Sequence, residues 1–360
     1  MADALDAGHI SGNGTFTKRA EADLERILGV PRVLLTTSCT DALEMSALLL
    51  EVGPGDEVVM PSFTFVSTAN AFVLRGAKPV FIDVREDTLN MDESLLAELV
   101  NERTKAVVPV HYGGVGCEMD AILEAAEGTG AAVVEDNAHG LFGRYRGRLL
   151  GTFGRLATQS FHETKNITCG EGGALVINDQ SLVERAEVLR EKGTNRARFL
   201  RGQVDKYTWT DLGSSFLPSD LLAAVLCAQL EKRESIQERR KAVWNHYREA
   251  LSGWAGEHDV RLPMVPDHDE QPYHLFYLLL PTDEARDRLI AHLKQRRILA
   301  VFHYVPLHLS PMGIRFGGRA GDCPVTESVS SRLVRLPFYN QLTRPDQNRV
   351  IEAVTDFTGF

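Results

Sequence analysis

The sequence predicts an α/β protein with a mostly parallel central sheet and a smaller α+β domain at its carboxyl end. Short apolar runs alternate with helical segments through the first two thirds of the chain. Several of these runs are continuously apolar, as expected for strands that are buried on both faces of a sheet. The pattern changes after about residue 230, and 360 residues suffice for a large and a small domain.

Each predicted strand is a short apolar run, and the predicted helices lie between the strands. The strands are Arg32–Thr36, Glu57–Met60, Pro79–Asp83, Ala106–Val110, Ala131–Glu135, Ala157–Ser160 and Ala174–Ile177. The helices are Asp41–Glu51, which is apolar on most faces, the more amphipathic Asp92–Glu102 and Asp120–Thr129, and the highly charged Asp179–Lys192.

The carboxyl-terminal third begins with one long charged helix, Leu230–Leu251, which is able to bridge two domains. Four elements are predicted after it: a strand at His274–Leu280, a helix at Thr282–Arg297, a strand at Leu299–Val305 and a helix at Arg344–Phe357. We therefore predict a large domain over residues 1–235 and a small domain over residues 236–360.

Composition narrows the class of protein. The net charge of −10 argues against a general nucleic-acid binder, and no apolar run reaches the ~18 residues of a membrane span. The five cysteines are scattered without CxxC spacing, which argues against a disulfide framework and a zinc site. Because we also find no signal-peptide pattern, we expect a cytoplasmic protein that uses no metal.

Ligands of open α/β sheets bind at the carboxyl ends of the strands, so the residues that follow each strand are the candidates. Ser38, Cys39 and Thr40 open the helix after the first strand, where free N–H groups attract an anion. A plain helix cap is the alternative. Asp136 follows an apolar strand and is either a helix cap or a fixed anion that faces a cation. His139 could be a metal ligand, but no second or third ligand lies at usable spacing from it.

Lys165 lies in SFHETKNITCGEGG (Ser160–Gly173), in the loop after a strand. Its glycines follow the lysine, and GxxxxGK[ST] is absent from the whole chain, which excludes a phosphate-loop lysine. An anion-binding turn, an acid at a strand end and this lysine together match the needs of pyridoxal 5'-phosphate (PLP). The lysine amine bonds the aldehyde, the acid pairs with the ring nitrogen, and the turn binds the phosphate.

Long stretches of the chain resemble the DegT/DnrJ/EryC1/StrS sugar aminotransferases, which are fold-type I PLP-dependent enzymes. The similar stretches include PGDEVVMPSFTFVSTANA (Pro54–Ala71), PVFIDV (Pro79–Val84), VPVHYGG (Val108–Gly114), VVEDNAHG (Val133–Gly140) and SFHETKNITCGEGG. The runs REKGTNR (Arg190–Arg196) and FLRGQVDKYTW (Phe199–Trp209) are most similar to the dTDP-4-amino-4,6-dideoxygalactose transaminases within this family.

The resemblance implies roles for particular residues. Lys165 would bond the cofactor and move the proton, and Asp136 would pair with its ring nitrogen. The other cofactor-binding residues implied are Ser38, Cys39, Thr40, Phe65 (stacked on the ring, or packed in the core), His139 and Ser160. Ser215 stands where many relatives have an asparagine that reaches the phosphate of the neighbouring subunit, so this contact of the expected homodimer departs from the family pattern.

The substrates that the resemblance implies are a nucleotide-linked ketosugar and an amino donor such as glutamate. The basic segment Arg190–Lys206 is either a solvated loop or a diphosphate site. The substrate-binding residues predicted are Arg201, Lys206, Tyr207, Trp209, His303, Tyr304 and His308, with the histidines equally able to be structural. The predicted reaction is transamination of dTDP-4-keto-6-deoxyhexose at C4.

Three alternatives stay open at this level. A PLP-dependent sugar dehydratase would carry histidine at the lysine position, so Lys165 favours transamination. The acceptor could instead be a 3-ketosugar or a 4-ketopentose. A cofactor-binding regulatory protein without turnover is the third alternative, and Lys165 together with Asp136 argues against it.

Overall fold

The computed structural model describes residues 1–6 and 8–360. Its main sheet has seven strands in the order β1-β9-β8-β5-β4-β2-β3. The strands are β1 Arg32–Thr36, β2 Glu57–Pro61, β3 Lys78–Ile82, β4 Thr104–Val107, β5 Ala132–Asp136, β6 Arg144–Tyr145, β7 Arg148–Leu149, β8 Leu156–Ser160, β9 Gly173–Ile177, β10 Asp269–Glu270, β11 Tyr277–Leu279 and β12 Leu333–Arg335. Strands β10, β6 and β7 form a second small sheet, and β11 pairs with β12.

The main sheet is mostly parallel, as predicted. Strand β9 runs antiparallel to β1 and to β8, while the β8–β5, β5–β4, β4–β2 and β2–β3 pairs are parallel. Every residue of β2, β5, β8 and β9 is buried. This burial on both faces explains why these strands read as continuous apolar runs. A strand of the main sheet overlaps each of the seven predicted ones, although β4 ends at Val107 and not at Val110.

Helices cover the sheet and form much of the carboxyl-terminal part. They are α1 Ala2–Asp6, α2 Thr15–Leu28, α3 Cys39–Leu49, α4 Val66–Val73, α5 Leu96–Leu99, α6 Met119–Glu127, α7 Val183–Arg190, α8 Arg196–Leu200, α9 Asp220–Glu231, α10 Arg233–Glu257, α11 Asp283–Gln295, α12 Pro311–Arg315, α13 Pro324–Arg332 and α14 Arg344–Thr355. Side-chain oxygens cap the amino ends of α3, α9, α11 and α14.

Three sequence predictions need correction. The long charged helix begins at Arg233 rather than Leu230, because Lys232 leaves helical geometry between α9 and α10. The Asp92–Glu102 helix is reduced to a 3₁₀ turn followed by α5. The Leu299–Val305 strand is wrong: the segment makes only the isolated bridge between Val301 and Arg335, and then enters the cavity described below.

The apolar cores follow the change of pattern in the sequence. One cluster contains only residues between Val243 and Phe357, from α10 through α14. A smaller cluster joins Phe63 and Tyr112 to Leu275 and Leu333, so the two parts of the chain pack together. The boundary at residue 235 stays a prediction, which the start of α10 at Arg233 supports. None of the helices in the described part of the chain has an apolar stretch long enough to cross a membrane.

Candidate active site

A cavity of about 1050 Å³ opens where the parallel strands β5 and β8 end. Its walls include the last residues of these strands, the amino ends of α3 and α4, and the loop after β8. The segments 299–304 and 335–341 line it from the carboxyl-terminal part of the chain. The strand-end location is the one that the sequence predicted for an open α/β sheet.

The amino end of α3 forms one wall of the cavity. The Ser38 hydroxyl caps the helix by accepting the Asp41 N–H at 3.0 Å, and the Thr40 and Ser67 hydroxyls lie 2.7 Å apart. Strand β9 passes directly behind this turn: a Cβ on Gly173 would lie 2.3 Å from the Ser38 carbonyl carbon. The first N–H groups of the helix, which have no intrahelical partner, therefore lie in a narrow hydroxyl-lined turn suited to an anion.

Asp136 ends β5 and is buried at the cavity. One carboxylate oxygen accepts the Thr68 hydroxyl at 2.7 Å, and the other accepts the Ala138 N–H at 3.2 Å. The Thr68 hydroxyl lies 2.9 Å from that of Thr64. Among the described residues no arginine or lysine forms an ion pair with this carboxylate. A buried carboxylate that lacks a cationic partner is suited to a ligand that brings a positive charge.

Lys165 reaches the same cavity from the loop after β8, where its backbone N–H donates to the His162 carbonyl at 2.9 Å. Burial lowers the pKa of its amine, and the charge of Arg335 adds to this, whereas Cys39 and Asp136 oppose it. Within residues 1–6 and 8–360, Lys165 has no carboxylate within ion-pair distance. A lowered pKa increases the fraction of neutral amine, which is the nucleophilic form.

Histidine rings form another wall of the cavity. His139 stacks on His274 with the ring centroids 4.1 Å apart, and its Nδ1 accepts the Gly113 N–H at 3.3 Å, which leaves the proton of the neutral ring on Nε2. Burial, reinforced by Lys165, lowers the pKa of His139 well below its ordinary value. Burial and Arg335 lower the pKa of His303 to about 2. These rings are therefore neutral hydrogen-bonding groups at physiological pH.

Two aromatic side chains complete this wall. Phe65 is 57% exposed although its neighbour Phe63 is buried, so Phe65 is a surface of the cavity and not part of the core. The Tyr304 ring lies 6.4 Å from the Phe65 ring. His303 is held next to Tyr304 by a hydrogen bond of 2.9 Å between its Nδ1 and the Tyr112 hydroxyl.

The structure brings most of the predicted residues to this cavity. The ten that line it are Ser38, Cys39, Thr40, Phe65, Asp136, His139, Ser160, Lys165, His303 and Tyr304. Six predicted residues lie elsewhere in the same chain: Arg201, Lys206, Tyr207, Trp209, Ser215 and His308.

The prediction for His308 needs correction, because its ring is committed to internal contacts. The ring is fully buried between the Ser62 hydroxyl at 2.6 Å and the Glu327 carboxylate at 3.0 Å. These bonds join the strand end of β2 to helix α13. His308 therefore has the structural role that the sequence left open.

The basic segment Arg190–Lys206 is largely neutralised by carboxylates. Arg190 pairs with Glu21 in the core, and the remaining arginines pair with glutamates of α7 and the residue that follows it. The pairs are Arg196–Glu191 at 3.2 Å, Arg198–Glu184 at 3.1 Å and Arg201–Glu187 at 2.7 Å. These contacts argue against a diphosphate site built from this segment within one chain.

Among the cavity residues that sequence reasoning missed are Arg240, His274 and Arg335. Arg240 donates to the carbonyls of Tyr273 and His274 and to the Asn340 side chain. Arg335 lies in the apolar run LVRLP, and an arginine within such a run is the sequence signal that could have identified it as a candidate site residue.

The donor groups of this cavity suit PLP. A lysine amine with a lowered pKa, a buried carboxylate without a cationic partner and an anion-binding helix end face one another around it. They match the aldehyde, the ring nitrogen and the phosphate of the cofactor. The fold and the site define the class of protein as a fold-type I PLP-dependent transferase.

Comparison with known proteins agrees with this class. The DegT/DnrJ/EryC1/StrS aminotransferase family model matches residues 1–355, and the chain belongs to this family. The spore coat polysaccharide biosynthesis protein SpsC of Bacillus subtilis is 34% identical over 364 residues, 99% of this chain and 92% of SpsC. The protein is therefore a PLP-dependent sugar aminotransferase.

Solved structures of aminotransferases have the same fold. The aminotransferase TlmJ from Streptoalloteichus hindustanus is 34% identical with a TM-score of 0.90, covering 98% of this chain and 93% of TlmJ. DesV of S. venezuelae, solved with a ketimine intermediate, is 35% identical with a TM-score of 0.88, covering 99% of this chain and 92% of DesV.

Proposed function

We propose that the protein transfers the amino group of glutamate to C4 of a dTDP-4-keto-6-deoxyhexose, giving a dTDP-4-amino-4,6-dideoxy sugar. The observation that carries transamination is the meeting of Lys165, Asp136 and the amino end of α3 at one cavity. The choice of acceptor is supported by the runs Arg190–Arg196 and Phe199–Trp209, which are similar to transaminases of this substrate.

We propose that the cavity residues bind the cofactor through four noncovalent contacts, in addition to the bond to Lys165. The turn of Ser38, Cys39 and Thr40, with the Ser160 hydroxyl, binds the phosphate. Asp136 pairs with the ring nitrogen, and its two hydrogen bonds keep the carboxylate oriented. Phe65 packs on one face of the ring, and the Nε2–H of His139 is free to donate to the ring hydroxyl. When bound, PLP supplies the aldehyde that bonds Lys165 and a ring that accepts electrons.

Lys165 is proposed to act as the proton carrier. The side chain is half-buried and its pKa is lowered, so a larger fraction of the amine is neutral and able to accept a proton. In the first half-reaction it removes the proton from the donor Cα, and in the second it delivers a proton to C4 of the sugar. The neutral His303 and the Tyr304 hydroxyl, both in the cavity wall, are placed to orient the sugar.

We propose that the enzyme is a homodimer with shared active sites. The segment around α8 exposes apolar side chains, with Trp209 77%, Leu200 58% and Tyr207 53% exposed. Ser215 is also exposed and lies outside the cavity of its own chain. A second copy that covers this surface would bury these apolar side chains. Lys206, Tyr207 and Ser215 of one copy would then lie near the cavity of the other copy.

The test is incubation of the holoenzyme with glutamate and dTDP-4-keto-6-deoxyglucose, with NMR of the sugar product. We expect nitrogen at C4 and one 2-oxoglutarate for each amino sugar. The 3-keto isomer serves as the matched control acceptor. Turnover of the 3-ketosugar alone, or bleaching of the cofactor band by glutamate without any sugar product, would contradict the proposed acceptor.

A further inference from the structure

Asn166 directly follows Lys165 and joins the loop of this lysine to the carboxyl-terminal part of the chain. The Asn166 side chain is buried. Its Nδ2 donates to the Pro272 carbonyl at 2.6 Å, and its Oδ1 lies 2.8 Å from Nδ1 of His274. The backbone carbonyl of Asn166 accepts the Asn340 side chain at 3.4 Å. The lysine loop is therefore tied, one residue after Lys165, to the segment that carries His274.

These hydrogen bonds decide which nitrogen of His274 carries the proton. A carbonyl oxygen only accepts, so the NH2 group of Asn166 must face Pro272, and the amide oxygen must face His274. This oxygen needs a donor, which places the proton of the imidazole on Nδ1. Burial and the charge of Lys165, to which Arg240 adds, lower the pKa of His274 well below its ordinary value. The ring is therefore neutral, and its Nε2 keeps a lone pair.

The Nε2 atom is the free end of the His274 ring. The ring lines the cavity, and in the part of the chain that the structure describes its Nε2 has no hydrogen-bond partner. His274 stacks on His139, in which Nδ1 is the acceptor and Nε2 carries the proton. Two neighbouring neutral rings thus offer opposite groups, a donor from His139 and an acceptor from His274.

The Lys165 amine is the group of the cavity that most needs such an acceptor. As the proposed proton carrier it becomes an ammonium each time it takes up a proton, and among the described residues it has no carboxylate within ion-pair distance. A buried charge without hydrogen bonds is costly. A neutral imidazole acceptor reduces this cost. Because the pKa of His274 is so low, the proton stays on the lysine.

We propose that Asn166 is a positioning residue, which holds His274 with its Nε2 lone pair available to the ammonium of Lys165. This inference rests on the proposed role of Lys165 as proton carrier and deepens it, because it assigns the group that stabilises the protonated lysine. Asn166 acts only through His274, and His274 accepts a hydrogen bond without taking the proton. The identity of the sugar does not enter the inference.

The first test observes the tautomer in the cofactor-free protein. With ¹⁵N-labelled histidine, protonated and unprotonated ring nitrogens have different NMR shifts, and the signals lost in His274→Gln identify this ring. We expect a protonated Nδ1 and an unprotonated Nε2 in the wild type. Asn166→Asp keeps an acceptor oxygen and should keep the proton on Nδ1, whereas Asn166→Leu should give a mixture of tautomers.

Asn178→Leu is the matched control. The Asn178 side chain also donates to two carbonyls, those of Gly151 at 3.3 Å and Gly154 at 2.8 Å, but it lies outside the cavity. We expect the signals of His274 to stay unchanged in this variant. A protonated Nε2 in the wild type, or an unaltered tautomer in Asn166→Leu, would overturn the proposal.

The second test measures how fast glutamate bleaches the absorption band of the lysine–cofactor bond, a reaction that needs no sugar. We expect Asn166→Leu and His274→Leu each to slow bleaching by about tenfold to 100-fold, the range of a lost hydrogen bond to a charged group. The double variant should be no slower than the slower single variant, because both substitutions remove the same hydrogen bond. His274→Gln, whose amide oxygen is also an acceptor, should restore part of the rate.

Bleaching at the wild-type rate in Asn166→Leu would contradict the proposal, and so would losses that multiply in the double variant, because Asn166 would then act independently of His274. If glutamate bleaches the wild-type enzyme but no ketosugar is aminated, the proposed sugar acceptor fails. The tautomer and the bleaching rates still decide the role of Asn166 in that case.

Discussion

Replacing Gly173 by alanine tests where the cofactor phosphate binds. Gly173 begins β9 directly behind the amino end of α3, and a Cβ there would lie 2.3 Å from the Ser38 carbon and 2.4 Å from the Cys39 nitrogen. Carbon atoms in contact prefer about 3.5–4.0 Å, so the turn must move by roughly 1 Å. Overpacking of this kind costs about 1–3 kcal/mol of folding stability.

The larger effect is expected on cofactor binding. Moving the Ser38–Cys39 turn misaligns its N–H groups, and each hydrogen bond to a charged group contributes about 1.5–3 kcal/mol. Loss of one such bond weakens PLP binding by about tenfold to 150-fold. The assay is titration of the cofactor-free protein with PLP by absorbance, alongside urea unfolding to measure stability.

Gly253→Ala is the matched control. Gly253 lies in α10 with no atom within 4 Å of an added Cβ, so the same substitution meets no clash there. We expect unchanged PLP affinity and a gain of up to about 1 kcal/mol from helix propensity. If Gly173→Ala binds PLP as tightly as the wild type while the fold is retained, the phosphate does not bind at the start of α3 and this reasoning is refuted.

Three further predictions concern the other groups of the cavity. Lys165→Ala abolishes the absorption band of the lysine–cofactor bond and lowers kcat by about 100-fold or more; normal turnover in this variant would show that another residue moves the proton. Asp136→Asn keeps the unfolding midpoint near that of the wild type but lowers kcat by about tenfold or more, because the ring nitrogen loses its anionic partner; near-native rates would mean that the acid is misplaced. The pKa of His303 is about 2 in the folded protein against an ordinary 6.5, so between these values the unfolded chain binds more protons. The free energy of unfolding of the cofactor-free protein then falls as pH decreases below 6.5, by up to about 1.4 kcal/mol per pH unit from this residue. Urea unfolding between about pH 7 and pH 5 measures the slope, which His303→Gln should reduce; an identical slope in that variant would contradict the assignment.

Much of the fold was accessible from local patterns. Buried parallel strands require apolar side chains on both faces. The apolar residues at the start of AVVED (Ala132–Asp136) therefore predict a strand without any tertiary information. The same logic placed Asp136 and Lys165 at strand ends, where an α/β sheet collects its ligand groups. The prediction of a strand from an apolar run was wrong for Leu299–Val305, because residues of this segment line the cavity and do not pair with a neighbouring strand beyond one isolated bridge.

The sequence by itself determined the class of protein, because a helix start, an acid and a lysine that follow three strands of the sheet are local features that together match one cofactor. Only the tertiary structure decided which charges are free to act. Arg201 lies in a conspicuously basic segment, yet Glu187 of a neighbouring helix neutralises it. Arg335 is hidden in an apolar run, yet the structure brings no carboxylate within ion-pair distance of it in residues 1–6 and 8–360. Whether an ion pair forms depends on which elements pack side by side, and this is a property of the folded chain that no local pattern contains.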